Sequence, residues 1–197
     1  MTQRQIGLTG GIGMGKTTVS NYMASQYGIP VLDADVYARD AVAIGSPILE
    51  RISDRYGQAI LLPDGNLNRA QLGTIVFADA NERRWLEQQI HPYVRDRFAQ
   101  SLAALTTTPL VVLSIPLLFE AGLTDMVSEI WVVTCRPDQQ LQRLIARGMT
   151  IAQAQARISS QLPIAEKIAH ANIVLDNSGT LETLYRQIDH ALAVSNR

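Results

Sequence analysis

The chain of 197 residues contains a single cysteine and no long apolar run. Cys135 has no second cysteine for an intrachain disulfide or a cysteine-based zinc site, and it reads most simply as a thiol at a strand end. A membrane-spanning helix needs about 18 or more consecutive apolar residues, and no such stretch is present. The N-terminus lacks a basic segment followed by an apolar one, so we do not expect secretion. These absences predict a cytoplasmic protein.

Lysine is nearly absent as well. Of the 17 basic residues only Lys16 and Lys167 are lysines, and the remainder are arginines. The planar guanidinium of arginine suits bidentate phosphate binding. The formal net charge of −1 predicts no general nucleic-acid surface. Because neither lysine lies in an Asn-Lys-x-Asp segment, which GTPases use to read guanine, the sequence also argues against a GTPase.

The clearest positive feature is a phosphate-binding loop. Gly10–Thr17 (GGIGMGKT) fits the pattern G-x-x-x-x-G-K-[ST] directly after a short apolar run, Gln5–Thr9. Glycines let successive backbone N–H groups approach phosphate oxygens without a Cβ in the way. Lys16 supplies a charge for the outer phosphates, and the Thr17 hydroxyl can bind Mg²⁺. The following helix directs its positive end at the same anion, so we predict a nucleoside triphosphate ligand.

Apolar runs alternate with helical patterns along the rest of the chain, which predicts a three-layer α/β domain with a parallel sheet. After Gln5–Thr9, strands are expected at Val31–Asp35, Leu110–Ile115, Glu129–Thr134 and Ile173–Leu175. Helix N-caps are expected at Ser46, Asn68, Asp79, Asp138 and Thr150, the last beginning a helix that reaches Gln161. Residues 36–105 lack strand signals, and Pro92 should kink or split a long helix there.

Two acids favour a small-molecule kinase over a motor ATPase. The strand Leu110–Ile115 ends in Pro116 with no acid, whereas Asp33 and Asp35 end the preceding strand. Ligands bind at the carboxyl ends of the strands in open α/β sheets. Because alternate strand residues point to one face, the two acids could share a side. The alternative is that one of them merely caps the following helix.

Arginines further along the chain predict a lid. Arg143 and Arg147 are four residues apart on one helix and therefore on one face, and Arg157 lies on the next helix. In small kinases such arginines neutralise the transferring phosphoryl group. A solvated basic helix face is the alternative.

Several segments, in order over nearly the whole chain, resemble the dephospho-coenzyme A kinase family. They are GLTGGIGMGKTTV at 7–19, LDADVYAR at 32–39, IHP at 90–92, PLLFE at 116–120, LQRLIAR at 141–147, ARISSQLP at 156–163 and LDNSG at 175–179. The resemblance implies a P-loop kinase fold and ATP-dependent phosphorylation of the ribose 3′-hydroxyl of dephospho-coenzyme A, with Mg²⁺. Met14 and Thr17 replace the serines more common in the loop; Thr17 keeps a hydroxyl.

The resemblance also implies a domain organisation. One P-loop kinase domain, 1–197, would have its core at about 1–35, 108–142 and 170–197. A helical acceptor-binding insertion would occupy about 36–107 and a helical lid about 143–169. Small molecules would be its partners, with no nucleic acid, membrane or obligate protein partner.

For the reaction itself, the resemblance makes Asp35 the candidate base, aided in catalysis by Lys16 and Arg143. Asp33 is expected to cap a helix or to support a magnesium-bound water. Arg39, one helical turn from Asp35, would hold that carboxylate ionised or bind a substrate phosphate. The expected ATP-binding residues are Gly11, Gly13, Met14, Gly15, Lys16, Thr17, Thr18, Arg143, Arg147 and Asn177, with Thr17 at the metal.

The expected acceptor-binding residues are Thr9, Asp33, Asp35, Arg39, His91, Leu117, Leu118 and Glu120. On the residues alone, His91 reads better as a core histidine or a cap at a helix break, and the Asn-Ser-Gly turn explains Asn177 equally well. Glu120 would orient arginines or substrate. Two other functions stay open, namely a different small-molecule or nucleoside monophosphate kinase, and a nucleotide-dependent regulator without rapid catalysis.

Overall fold

The structure is a computed structural model that describes residues 3–194, and it divides into two compact units. The sheet unit comprises the chain up to Asp33 and from Leu105 onward. The helical unit is Ala34–Ala104.

The sheet unit contains five parallel strands in the order β2-β3-β1-β4-β5. The strands are β1 (Arg4–Gly10), β2 (Val31–Asp33), β3 (Leu110–Ser114), β4 (Glu129–Thr134) and β5 (Ile173–Asp176). β1 is central, pairing with β3 on one side and β4 on the other. The chain leaves β1 for β2 at one edge of the sheet, and the later connection from β3 to β4 crosses to the other side of β1. Ligands bind at such a switch point in open α/β sheets. The predicted α/β class with a parallel sheet is confirmed.

Helices connect and cover these strands. They are α1 (Lys16–Tyr27), α2 (Ala34–Asp40), α3 (Pro47–Tyr56), α4 (Arg69–Ala78), α5 (Ala80–Ala104), α6 (Pro137–Ala146), α7 (Ile151–Ser159), α8 (Ile164–Ala169) and α9 (Leu181–Val194). Short 3₁₀ turns occur at Gln58–Ile60 and Thr124–Met126. No helix between residues 3 and 194 combines the length and the hydropathy that crossing a bilayer requires.

The core of the sheet unit lies where the central strands meet α1 and α9. Leu8, Trp131 and Val133 from the strands are fully buried, together with Met23 of α1 and Ile188 of α9. Central strands of a parallel sheet are covered on both faces, so their residues form continuous apolar runs instead of alternating with polar ones. This is why the strand positions were readable from the sequence.

The helical unit has its own core, which contains Ile52, Ile60 and Leu72. Three of its four helices, α3, α4 and α5, begin directly after the predicted caps. The side chains of Ser46 and Asn68 accept hydrogen bonds from the backbone N–H groups three residues later, and the Asp79 carboxylate accepts from the N–H of Asn81.

Of the two outcomes expected at Pro92, a split of the long helix is wrong, because α5 runs continuously from Ala80 to Ala104, and a kink stays a prediction. Proline removes one backbone donor from a helix. Side chains on both sides of Pro92 nevertheless pack within the helical unit: Trp85 and Ile90 against its core cluster, and Phe98 against Tyr37. This packing offsets the lost backbone bond.

Three other expectations need correction. Asp35 does not end a strand, because β2 stops at Asp33 and α2 begins at Ala34. The alternation of strand residues therefore says nothing about where Asp35 points. Asp138 is not an N-cap, since Arg136 holds that position and Pro137 opens α6, where proline's fixed φ suits the first turn.

The third correction concerns the end of α7. Thr150 caps it in a reciprocal pair with Gln153, as predicted in position, but the helix ends at Ser159 and not at Gln161. A further short helix, α8, follows Pro163 and was not anticipated. Six residues are too few to show a helical period in a sequence.

Candidate active site

The phosphate loop connects β1 to α1, and its shape depends on glycine at position 15. Gly15 has φ of 103° and is the N-cap of α1. A Cβ built on it would lie 2.0 Å from the side-chain nitrogen of Asn177. Both the left-handed backbone and the lack of space exclude any side chain, so the signature glycine is required by local geometry.

Asn177 is a buried part of the loop's support. Its Nδ2 donates to the carbonyl oxygen of Met14 at 2.9 Å. The Arg143 guanidinium donates to the Asn177 carbonyl at 3.0 Å and to the Met14 carbonyl at 3.5 Å. Asn177 therefore does more than form a turn, because its amide fixes the backbone of the loop.

A cavity of about 250 Å³ lies beside this support. It is lined by Gly13, Gly15, Thr18, Arg143, Arg147, Asn177 and Leu181. Six of these seven were expected to bind ATP. Leu181, the first residue of α9 and 55% exposed, was missed because an exposed leucine after a turn carries no functional signal. The cavity combines guanidinium groups with loop backbone, a lining suited to an anionic ligand.

Lys16 connects the loop to the neighbouring strand ends. Its Nζ donates to the Ser114 hydroxyl at 3.4 Å, and that hydroxyl donates to Oδ2 of Asp33 at 3.3 Å. Ser114 is the buried last residue of β3, directly beside Asp33 at the end of β2. Ser114 was not predicted, since a serine within an apolar run has no distinctive spacing.

Thr17 carries the hydroxyl oxygen that is expected to bind magnesium. It lies in the first turn of α1 with its residue exposed, so its hydroxyl is open to a ligand beside the loop. Residues 3–194 contain no group of three or more His, Cys, Asp or Glu side chains placed to hold a metal. Mg²⁺ in nucleotide sites usually takes one or two protein oxygens and completes its shell with phosphate and water. Thr17 therefore fits such an ion.

A wall of residues follows β3 at the same edge of the sheet. The buried Thr9 hydroxyl donates to the Pro116 carbonyl at 3.1 Å. Leu118 is fully buried, whereas Leu117 is 41% exposed. Glu120 forms an ion pair with Lys167 at 2.8 Å, and its expected role in orienting arginines or substrate stays a prediction.

Two glutamines hold the loop at Ile12. The Ile12 N–H donates to the Gln161 side-chain oxygen at 2.8 Å, and the Ile12 carbonyl accepts from Gln140 Nε2 at 2.8 Å. Neither glutamine was expected to contribute. Glutamine is common on helix surfaces, so only the three-dimensional placement reveals these contacts.

The expected residues of the helical unit occupy two helices. Asp35 lies in the first turn of α2, and Arg39 in the last turn of the same helix; both are exposed. The Arg39 carbonyl accepts from Arg69 at 3.3 Å. His91 lies half-buried inside the continuous α5, so it is not a cap at a helix break.

Arg147, Arg157 and Cys135 are three further residues that the sequence singled out. Arg147 is the C-cap of α6, with Gly148 following at a φ of 87°, and Arg157 is exposed on α7. Cys135 lies directly after β4, and burial raises the pKa of its thiol. The thiol is therefore protonated near neutral pH, as befits a packing residue.

Comparisons with known proteins agree with one another. The family model for dephospho-CoA kinase matches residues 4–183. A dephospho-CoA kinase from Trichormus variabilis is 61% identical over 193 residues, which cover 98% of each chain. A Thermus thermophilus protein of known crystal structure superposes with a TM-score of 0.84 at 35% identity, covering 98% of both chains. The crystal structure of a dephospho-CoA kinase from Campylobacter jejuni superposes with a TM-score of 0.74 over the full length of both; at 23% identity this likeness concerns the fold.

Proposed function

The chain belongs to the dephospho-coenzyme A kinase family, and from this premise we propose how its residues carry out the reaction. Its activity is the last step of coenzyme A biosynthesis, in which ATP phosphorylates the ribose 3′-hydroxyl of dephospho-coenzyme A. One observation supports this most strongly, namely the family match over residues 4–183. The activity is therefore that of a phosphotransferase with an alcohol acceptor.

The phosphate loop is the proposed donor site. Backbone N–H groups around Gly13 and Gly15 bind the phosphates. Lys16 gives up its hydrogen bond to the Ser114 hydroxyl and contacts the outer phosphates of ATP. Thr17 holds Mg²⁺, which when bound neutralises charge on the phosphate oxygens. Support for this assignment comes from the left-handed Gly15 and from the cavity beside it.

Arginines are proposed to stabilise the charge that develops during transfer. Arg143 and Arg147 both line the cavity beside the loop. Positively charged groups fixed before the reaction stabilise a transferring phosphoryl group at little reorganisation cost. We assign residues 143–169 to a lid on this basis and residues 36–107 to the acceptor-binding insertion.

Asp35 is proposed as the base. The 3′-oxygen attacks the γ-phosphorus, the bond from that phosphorus to the β,γ-bridging oxygen breaks, and ADP leaves. The hydroxyl proton passes to the Asp35 carboxylate. Asp33, whose carboxylate accepts from Ser114, supports a metal-bound water. Arg39 and His91, with Thr9 and the wall at Leu117, Leu118 and Glu120, bind the acceptor.

The direct test is turnover by the purified protein. With ATP and Mg²⁺, dephospho-coenzyme A should be converted to coenzyme A with equimolar ADP, measured by chromatography of both products. Omission of Mg²⁺ should abolish the reaction. Absence of turnover above the rate without protein would contradict the proposed function.

A panel of acceptors separates the alternatives. Nucleoside monophosphates and other small alcohols should give no ADP above the rate without acceptor. A regulator that only binds nucleotide would release ADP at the same slow rate whether or not dephospho-coenzyme A is present. We further propose that the protein acts in the cytoplasm on small molecules, without nucleic acid, membrane or an obligate protein partner.

A further inference from the structure

The segment that runs from Gln161, just after α7, to Lys167 in α8 contacts the phosphate loop at its first residue. Gln161 accepts the Ile12 N–H at 2.8 Å, while Gln140 of α6 donates to the Ile12 carbonyl at 2.8 Å. Both backbone polar groups of Ile12 are thus held by side chains. Without Gln161 the Ile12 N–H would lose this acceptor, and the loop would be fixed on one side only.

The other end of the segment contacts the wall after β3. The Lys167 side chain is completely buried, and its Nζ lies 2.8 Å from Oε1 of Glu120 and 3.3 Å from the Pro116 carbonyl. The same Glu120 oxygen accepts the Leu162 N–H at 2.9 Å. The Pro116 carbonyl is shared with the Thr9 hydroxyl at the end of β1.

A buried lysine is unusual, because removing an ammonium group from water carries a desolvation cost of several kcal/mol. Replacing buried ion pairs by apolar residues is often neutral or stabilising, so stability alone does not account for this pair. Lys167 is one of only two lysines in the chain, and the other, Lys16, lies in the phosphate loop. The contacts of Lys167 all point to the segment that carries Leu117, Leu118 and Glu120.

We infer that the segment Gln161–Lys167, which we name the brace, positions the donor loop at one end and the acceptor wall at the other. Gln161 and Lys167 are positioning residues that act through Ile12 and through Pro116 and Glu120. The inference rests on the proposed function for the identity of the two substrates. It has a distinctive consequence: the two ends of the brace control different Michaelis constants.

Two matched substitutions test this. Gln161→Met and Lys167→Met keep the length of each side chain and remove its hydrogen-bonding group. Gln161→Met should raise the KM for ATP about tenfold, the effect of one lost hydrogen bond to a half-buried donor, with less than a twofold change for dephospho-coenzyme A. Lys167→Met should show the reverse pattern.

The controls are exposed residues on helices outside the brace and the proposed lid. Gln26→Met on α1 and Arg186→Met on α9 should leave both constants unchanged, because both side chains are exposed. If Lys167→Met does not fold, Lys167→Gln keeps a donor for the Pro116 carbonyl while removing the charge. It should still raise the KM for dephospho-coenzyme A selectively, by a smaller factor.

The brace is supported if Gln161→Met raises mainly the KM for ATP and Lys167→Met raises mainly the KM for dephospho-coenzyme A. Equal changes in both constants for each variant, or a lower melting temperature with unchanged constants, would show a purely structural role and overturn it. Calorimetric titration with ATP alone and with dephospho-coenzyme A alone repeats the test without turnover. Failure of the unsubstituted protein to react is therefore distinct from failure of the brace.

Discussion

The sheet unit and the helical unit differ in what they bury. Among the described residues, Thr9, Ser114, Gln140, Lys167 and Asn177 are buried polar side chains near the strand ends of the sheet unit. Within the described chain, Ser53 is the one buried polar side chain of the helical unit. A buried polar group costs free energy unless it is hydrogen-bonded, and each of those five has a partner.

The helical unit keeps its strong polar interactions near its surface. Arg55 forms a bidentate pair with Glu82 and lies over the ring of Trp85, and Tyr56 donates to the same carboxylate. Such a cluster orders a surface without desolvating a charge completely. The difference indicates that the sheet unit accepts the cost of buried polar groups to fix one site, whereas the helical unit relies on apolar packing.

The largest expected effect goes against this difference between the units, because it comes from an exposed residue of the helical unit and not from a buried polar group of the sheet unit. Asp35→Asn removes the proposed base, and kcat should fall by a factor on the order of 10²–10⁴. ATP affinity should change little, because the phosphate loop lies in the sheet unit. Steady-state kinetics with a parallel nucleotide titration measures both quantities.

Asp33→Asn is the matched variant two residues away. It should lower kcat by a smaller factor, because Asp33 is assigned to support of the metal-bound water. If Asp33→Asn proves the more damaging change, the two roles are reversed.

Two glycine substitutions, one in each unit, extend the comparison to protein stability. Gly15→Ala places a Cβ 2.0 Å from Asn177 in a left-handed backbone, and it should destabilise the protein by about 2–4 kcal/mol and weaken ATP binding. Gly73→Ala, inside α4 with nothing within 4 Å of its Cβ, should stabilise by about 0.5–1 kcal/mol. Urea unfolding compares the two variants.

The outcome for Gly73→Ala serves as the internal control for the glycine pair. If Gly15→Ala is as stable as the parent, neither the left-handed backbone nor the close approach of Asn177 restricts position 15. ATP titration of Gly15→Ala gives a second, independent measure.

The smallest expected effect concerns the surface cluster of the helical unit and its pH dependence. Hydrogen bonds from Arg55 and Tyr56 lower the pKa of Glu82 to about 2, well below the ordinary range of a glutamate. A depressed carboxyl pKa contributes stability that is present above the unfolded pKa and is lost as pH falls towards the folded one. Stability should therefore decline between about pH 4.5 and pH 2 as the carboxylate is protonated.

Glu82→Gln should flatten that part of the curve, as measured by thermal unfolding across the acid range. Glu87→Gln, on the same helix, should leave the acid decline of the parent unchanged. A decline of equal steepness in Glu82→Gln and the parent would show that other carboxylates cause the acid sensitivity.

The loop and most helix starts were predictable because they depend on short-range chemistry. Gly15 needs a left-handed backbone, and Ser46, Asn68 and Thr150 hydrogen-bond to N–H groups three residues away. Such signals are complete within a few residues of sequence. Asp138 failed as a cap because Pro137 competes one position earlier.

The candidate site was predictable only in part. Arg143, Arg147 and Thr18, three of the residues expected to bind ATP, line the cavity beside the loop, and their binding of ATP stays a prediction. Gln140, Gln161, Ser114 and Lys167 were absent from the expected site residues, since their residue types occur widely and their partners are distant in sequence, for example 149 residues from Gln161 to Ile12 and 51 from Lys167 to Pro116.

The sequence by itself determined the phosphate loop, the parallel α/β class and, through ordered motifs, the family. These follow from local backbone chemistry and from apolar periodicity. Only the tertiary structure decided that Asp35 lies in the first turn of a helix, that α5 continues through Pro92 and that a buried lysine binds the wall beside the site. Those outcomes depend on packing and desolvation between residues far apart in the chain, and no short stretch of sequence encodes them.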